Sequence, residues 1–528
     1  MDNARKKKLP ILKIKKQIRQ PFFKKNARLL VAIIAIIFVL YGGATYWFGK
    51  KAEETFWHQY HLVKDSPFFE VKSYAYQRGL LRSYAQMELG IKPHALKPYK
   101  DLLPSHLRTL FQQTIRCSQT IQHGPILYES GLRFHFGQAL ATVRFKMSAQ
   151  TQAALKHLFN KVEPIVIKHL IRFSQNGQLS IRIPAFSYNE ILSGINIIWH
   201  GMHIAVDHKK DFSTYSATIT LPHAALTIPN IGNIQIDQLR HLIQKENLPN
   251  DATLLKSELN IQQANTKWKL HITEHDQFNK WMPWLNYAKK IVDFIDLQHS
   301  AYPSAVSLKN FRYRLDTKTI HQFVDTRGIL QFDQLVLDDK ACGAMKLDVT
   351  ASHLYAPALS KIWAALKETL TPFTEYDEIG TIYLAALKKH GSTLLLHEPK
   401  ITLNTLTVKR KDGVTTITGY ILIPKLPLQF NSTQLFKRLA IQVDIKMPRK
   451  TLEDLVVAQA NHLFLMQTKN PSRAALIEVE NLTRSLFGLQ IQMLNARGFI
   501  EENNEQLITQ IILKNGKLTL NHQKVALP

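Results

Sequence analysis

Any chemistry in this chain would have to start from its histidines, its carboxylates and its two cysteines. The tightest histidine group is His200, His203 and His208 in IIWHGMHIAVDH, and closely spaced imidazoles are a common beginning of a zinc site. On a strand, residues an odd number apart point to opposite faces, so His200 and His203 could share a metal only if a bulge at Gly201 turned one of them. Solvated strand histidines are therefore expected. Asp338-Asp339 closes a strand-like run, and adjacent acids on a strand point apart, which makes a poor acid/base pair. Glu375, Asp377 and Glu378 surround Tyr376 just after Pro372. Acids in a first helical turn answer the positive end of the helix dipole more simply than they make a catalytic pair. His123-Gly124-Pro125 offers an imidazole base, but no nucleophile accompanies it at a defined spacing, so a turn with a polar side chain is expected. Arg78-Gly79 reads as a bend, with an anion contact as the lesser reading.

The signatures H-E-x-x-H, G-x-S-x-G, the Walker loop and G-x-G-x-x-G are all absent, which removes the common metalloprotease, hydrolase and nucleotide-binding classes. No catalytic residue, metal ligand or cofactor is assigned, and an enzyme with an unrecognised site is kept only as an alternative. Cys117 and Cys342 have no C-x-x-C or Cys/His zinc spacing. In an oxidising compartment they could bridge, and two separate buried thiols explain them equally well.

The element that positions everything else is Leu29 to Phe48, twenty residues without an ionisable acid or base. As a helix it is about 30 Å long, the thickness of a bilayer's hydrocarbon core. Residues 1–28 carry eleven Lys/Arg against the single acid Asp2, a net +10, and cationic flanks stay cytoplasmic. The rival is a cleaved signal peptide, for which Gly42, Gly43 and Ala44 are suitable small residues. The apolar run continues through Tyr46, Trp47 and Phe48, longer than the 7 to 15 residues or so of a signal core, so an uncleaved anchor is preferred. The organisation read from this is a basic cytoplasmic tail (1–28), a signal-anchor helix (29–48), a helical stalk (49–66) and an α+β ectodomain in two halves (67–300 and 301–528). The net charge of +28 falls to +18 without the tail, and no nucleic-acid module accompanies it. A basic surface facing anionic lipid is the better match.

Strand-like alternation fills most of the remainder. It runs through 68–91 with Gly79 at the bend, 121–145, 179–186, 195–208, 214–228, 254–275, 306–317, 327–339 and 343–354. Asp412-Gly413 and Asn515-Gly516, each between alternating runs, predict tight hairpins. Three- and four-residue spacing predicts helices over 151–173, 234–248, 278–297, 356–389, 450–468 and 471–486. Trp281, Trp284 and Tyr287 share one side of the third, as a core stripe or a surface that presses on a membrane or partner. The whole reads as α+β: long, mostly antiparallel sheets in an elongated ectodomain, with helices inserted in blocks.

Several stretches together resemble the YdgA-like family of bacterial inner-membrane-anchored proteins. They are the Lys-rich tail, the anchor with its Gly42-Gly43-Ala44 exit, Tyr76 to Ser83 with Arg78-Gly79, and His123-Gly124-Pro125. Gly343 to Val349 before a helix and Lys514 to Asn521 with Asn515-Gly516 complete the set. His522 stands where the family pattern has Gly after Asn521. The resemblance implies a single-pass protein with its N-terminus in the cytoplasm and its ectodomain in the periplasm. It implies no reaction, because the family's function is unassigned. The expected function is therefore non-enzymatic: binding of lipid or another envelope component in envelope maintenance. The alternative is an assembly or scaffold protein acting through protein contacts. The expected partners are the inner membrane through 29–48, a lipid or an envelope protein, with a homo-oligomer left open and nucleic acid excluded.

Overall fold

The computed structural model describes residues 21–64, 66, 69–92, 114–129, 133–146, 159, 163, 165–191, 194–230, 232–248, 252–268, 304–369, 376–427, 432–468 and 472–525. The expected helix over 278–297, with Trp281, Trp284 and Tyr287, lies outside them, as do 151–158 and Glu375.

Helix α1 (Pro21–Lys64) is a single run of 44 residues, about 66 Å at 1.5 Å per residue. Val31–Trp57 is long and apolar enough to cross a membrane. The expected stalk is the continuation of this helix, and it does not stand free. Ala52, Phe56 and Tyr60 are buried, with Ala52 packed among Ile121, Ala139, Ala141 and Ile171.

The strands are β1 (Phe69–Gln77), β2 (Arg82–Ile91), β3 (Ile115–His123), β4 (Ile126–Glu129), β5 (Arg133–Phe136), β6 (Ala139–Lys146), β7 (Val166–Ile171) and β8 (Gly177–Ile183). Next come β9 (Phe186–Asn189), β10 (Asn196–Trp199), β11 (Met202–His208), β12 (Tyr215–Ile228), β13 (Gly232–Leu248), β14 (Ala252–Trp268), β15 (Ala305–Ile320) and β16 (Phe323–Leu337). The last are β17 (Lys340–Tyr355), β18 (Lys400–Arg410), β19 (Gly413–Leu422), β20 (Ala440–Pro448), β21 (Glu501–Asn503), β22 (Gln506–Lys514), β23 (Lys517–Leu520) and β24 (Gln523–Val525). Apart from the β4–β5 hairpin they form one 22-stranded sheet. Pairing is antiparallel throughout and mostly runs strand against next strand, except where β3 pairs with β6, β8 with β11, β10 with β12 and β20 with β22. The sheet passes without a break through the expected division at residue 300, since β14 pairs with β15.

Helices interrupt the meander in blocks. Helices α2 (Ala356–Thr369) and α3 (Tyr376–Leu395) follow β17, α4 (Ser432–Arg438) follows β19, and α5 (Arg449–Gln467) and α6 (Arg473–Ala496) follow β20. The Ser472 side chain caps α6 by accepting from Ala475 N, one of the orphan donors of a first turn. The described part is thus mostly antiparallel sheet with few helices.

Two helical expectations are corrected. Residues 234–248 are strand β13, and the end of 151–173 is strand β7. In β13 the apolar spacing Ile236, Leu239, Ile243 imitates a helix because Gln238 sits at φ +49°, and a left-handed residue inside a strand shifts its alternation by one. The same three-residue step recurs at the same level in neighbouring strands. Ala224, Ile236, Ala264, Leu308 and Leu335 are successive register partners on one side of it, and Leu221, Leu239, Ile261 and Phe311 on the other. Asn310, at φ +52°, marks the line in β15. In β16 the register shifts between Phe332 and Leu335, yet both belong to one buried cluster with Leu337, Cys342 and Met345. The step therefore keeps apolar side chains on a common face. In β7, Ile167, His169 and Ile171 alternate against β6 and β8, and this pairing overrides the helical spacing of Val162, Val166 and Leu170.

Candidate functional site

The first assembly lies where α1 meets the sheet. Arg78 and Gly79 form the β1–β2 turn, and His123 ends β3 beside it, donating its backbone N–H to Leu81 O at 2.9 Å. The His123 ring is buried. Its Nδ1 is 2.9 Å from Leu80 O, a carbonyl that can only accept, so Nδ1 carries the proton. Nε2 then accepts from Ser83 Oγ at 2.9 Å. Burial pushes His123 below the ordinary imidazole range, which keeps it neutral. A hydroxyl donating to a base that is oriented by a third group is the arrangement of an activated nucleophile. Ser83 is completely buried, however, so no substrate reaches it in this conformation. Gly49 of α1 lies on the ring: a Cβ there would stand 2.8 Å from the imidazole. Arg78 bridges to the same helix, 3.4 Å from Glu53 and 5.0 Å over the Tyr46 ring. The Gly124-Pro125 bond is cis, and the chain turns there into the β4–β5 hairpin. The motif residues Arg78, Gly79, Ser83, His123, Gly124 and Pro125 thus converge as the clamp that holds α1 to the sheet.

From this clamp one face of the sheet can be followed by register partners. Val143, Ile167, Ile181, Ile204, Ile219, His241 and Leu259 pair in succession. Tyr313, Leu330, Leu347, Leu406, Ile417, Ile445 and Thr509 continue the row. At about 4.8 Å per strand this is a row of roughly 60 Å, apolar at all but His241 and Thr509. The row behind it runs Thr142, Lys168, Ser180, Ala205, Thr218, Leu242, Glu258, Arg314, Ile329, Asp348 and Thr405, mostly polar. Asp348 is held there by Arg327 through paired bonds of 2.9 and 2.6 Å and by Asn404 at 2.8 Å, and the guanidinium pulls its carboxyl below the usual range. Members of the apolar row from β6 to β22 are half-buried. Among the described residues, helices lie on that face near its two ends: α1 over Ile121 and Ala141, and α6 through Phe487 and Ile491 against Leu507.

The sequence-selected histidines are not brought together. Gly201 does open a break, at φ +89°, but the His200 ring lies tilted against His223 with centroids 4.7 Å apart and His203 meets Ser180 at 3.1 Å. His208 pairs with His169, Nε2 to Nε2, at 2.8 Å. Among the described residues no three His, Cys, Asp or Glu side chains gather as a metal would require. His223 also contacts Asp237 at 2.5 Å. Asp338 and Asp339 are turn residues, at φ +45° and +71°, with the Asp338 carboxylate accepting from Ser304 and Ala305. Asp377 and Glu378 lie in α3. Gly343, at φ +93°, sits at a bulge in β17, and Asn515-Gly516 makes the β22–β23 turn with both residues left-handed. Asn521 and His522 are left-handed as well, a conformation that glycine adopts more freely than histidine. Cys117 and Cys342 are buried and not bridged.

The family model for a bacterial protein of unknown function, DUF945, matches residues 23–528. The chain belongs to that family. The DUF945 match opens inside α1 and runs to the end of the chain, so it takes in helix, clamp and sheet alike. No curated protein and no solved structure matches the chain. The contacts of Ser83, His169, His223 and Asp237 escaped the sequence reading because each partner lies on another strand. Only a correct strand register would have found them.

Proposed function

We propose that this DUF945 member is a non-enzymatic protein anchored in the inner membrane, with its ectodomain in the periplasm, where the sheet holds the acyl chains of lipid in envelope maintenance. The apolar row from Val143 to Ile445 carries the reading. An amphipathic antiparallel sheet normally packs its apolar face on a second layer. Here the row's members from Val143 to Ile445 are only half-buried, and an apolar face left partly open accepts hydrocarbon. The YdgA-like resemblance, with its inner-membrane anchor, supports the same location.

A photo-crosslinking residue in place of Tyr313, on the apolar row, should yield lipid adducts detectable by mass spectrometry. The same residue at Arg314, on the polar face, should not. Equal yields at the two positions, or none at Tyr313, would overturn the reading. A scaffold role has one observation in its favour: Leu482, Leu486, Leu489 and Met493 form an exposed stripe on α6. A specific protein captured from Leu486 in place of lipid from Tyr313 would favour it.

A further inference from the structure

The turns at the α1 end of the sheet carry large apolar side chains into solvent at a defined height along the helix. Val31 to Leu40 are all exposed, shielding begins at Tyr41 and Gly42, and Thr45 is fully buried. The sheet's end therefore reaches up to the last two turns of the apolar stretch Leu29–Phe48. Two contacts fix that height: Arg78 over Tyr46, and Phe173 against Phe48 with ring centroids 5.4 Å apart. The β1–β2 turn offers Leu80 and Leu81, and the β7–β8 turn offers Phe173, all about half exposed.

The β4–β5 hairpin, which leaves from Gly124-Pro125 beside His123, adds more. Its inner face buries Leu127 completely, while its outer face exposes Phe136 at 70% and Ile126 at 47%. These two are register partners. Neither turn sequence, RGLLR at 78–82 or RFSQN at 172–176, contains an acid, and Lys50, Arg82 and Arg172 are exposed among them. Apolar tips interspersed with cations, at the depth where an anchor leaves the hydrocarbon, match the headgroup and upper acyl region of an anionic bilayer.

We infer that this end of the sheet is a membrane seat: Leu80, Leu81 and Phe173, with Ile126 and Phe136 of the hairpin, enter the interface of the bilayer that α1 crosses. The inference rests on reading α1 as an anchor, and its test separates the two. The full chain is reconstituted in vesicles containing anionic phospholipid and nitroxide-bearing lipids, with an environment-sensitive fluorophore on Leu81→Cys, Phe136→Cys or Phe173→Cys, each made singly. Ile37→Cys reports the anchor and Lys411→Cys reports a distant turn. The parent chain, whose two cysteines are buried, sets the labelling background.

The expected result is at least twofold quenching at 81, 136 and 173 by nitroxide near the headgroup. Quenching at 37 should come from nitroxide deep in the acyl chains, and 411 should show none. Quenching at 37 with none at 81, 136 and 173 would overturn the seat and leave the anchor standing. Absence of quenching at 37 would overturn the anchor reading, and the seat with it.

Discussion

Among single residues His169 is the one with the clearest response to pH. His208 Nδ1 donates to Lys209 O at 2.8 Å, which leaves its Nε2 to accept from His169 Nε2. Burial, reinforced by the charge that His208 can carry, pushes His169 down to about 4. An unfolded histidine titrates near 6.5. Below that pH the unfolded chain binds a proton that the folded chain refuses. Stability present above about pH 6.5 is therefore lost as pH falls towards 4, by up to about 3 kcal/mol. The lowered His123 acts in the same direction. His169→Gln, which keeps a polar partner without the titration, should flatten the fall in urea-unfolding stability between pH 7 and 5; an unchanged slope would place the acid sensitivity elsewhere. The cysteines give a second residue-scale test. Cys117 on β3 and Cys342 on β17 are ten strand steps apart in the sheet, roughly 45 to 50 Å along it, whereas bridged Cα atoms lie within about 7 Å. Burial also pushes the Cys117 thiol up to about 11. Both should resist alkylation in the folded chain and react fully on denaturation without reductant, and a mass showing unreacted sulfur in the denatured chain would contradict the structure.

At the scale of elements the informative feature is the three-residue step that crosses β12 to β16 at one level. Gln238 is exposed and left-handed, a conformation that costs a side chain about 1 to 2 kcal/mol and glycine almost nothing. A β-branched residue fits it worst. Gln238→Val should therefore be less stable than Gln238→Gly by about 1 to 2 kcal/mol in chemical denaturation. Equal stabilities would mean that the step is not imposed at Gln238. The step also explains what the sequence could and could not reveal. Strands with unbroken alternation, such as β8 and β11, were legible, as were the hairpin at Asn515-Gly516 and the helices α2, α3, α5 and α6. At Asp412-Gly413 the hairpin was legible but not its turn: the loop residues are Lys411 and Asp412, neither left-handed, with Gly413 at φ +131° opening β19. β13 was misread because one left-handed residue converts a two-residue period into an apparent helical one. The Ser83–His123 contact was illegible for a different reason, since its members are 40 residues apart and meet only once β2 is registered on β3.

For the molecule as a whole, the side of the membrane on which the sheet stands decides what its apolar face can meet. On the anchor reading proposed above, the flanks of α1 set that side as the chain inserts. Before the apolar stretch stand eleven cations against one acid, and after it Lys50 and Lys51 are followed by Glu53 and Glu54. Orientation follows the excess of Lys and Arg within about 15 to 20 residues of the span, and acids contribute little. Replacing most of the eleven cations with Gln should leave the two flanks nearly matched, so that a reporter fused after Pro528 registers a mixture of orientations where the parent registers one, active only outside the cytoplasm. Glu53 bears on the outcome a second way, because it is tied to Arg78 and through it to the clamp, so a folded sheet docked on α1 opposes inversion once it has formed. Inversion should therefore occur during insertion and be fixed thereafter, giving two stable populations by protease accessibility. A single, unchanged orientation in the Gln variant would show that folding of the clamp, and not the charge of the tail, sets the topology.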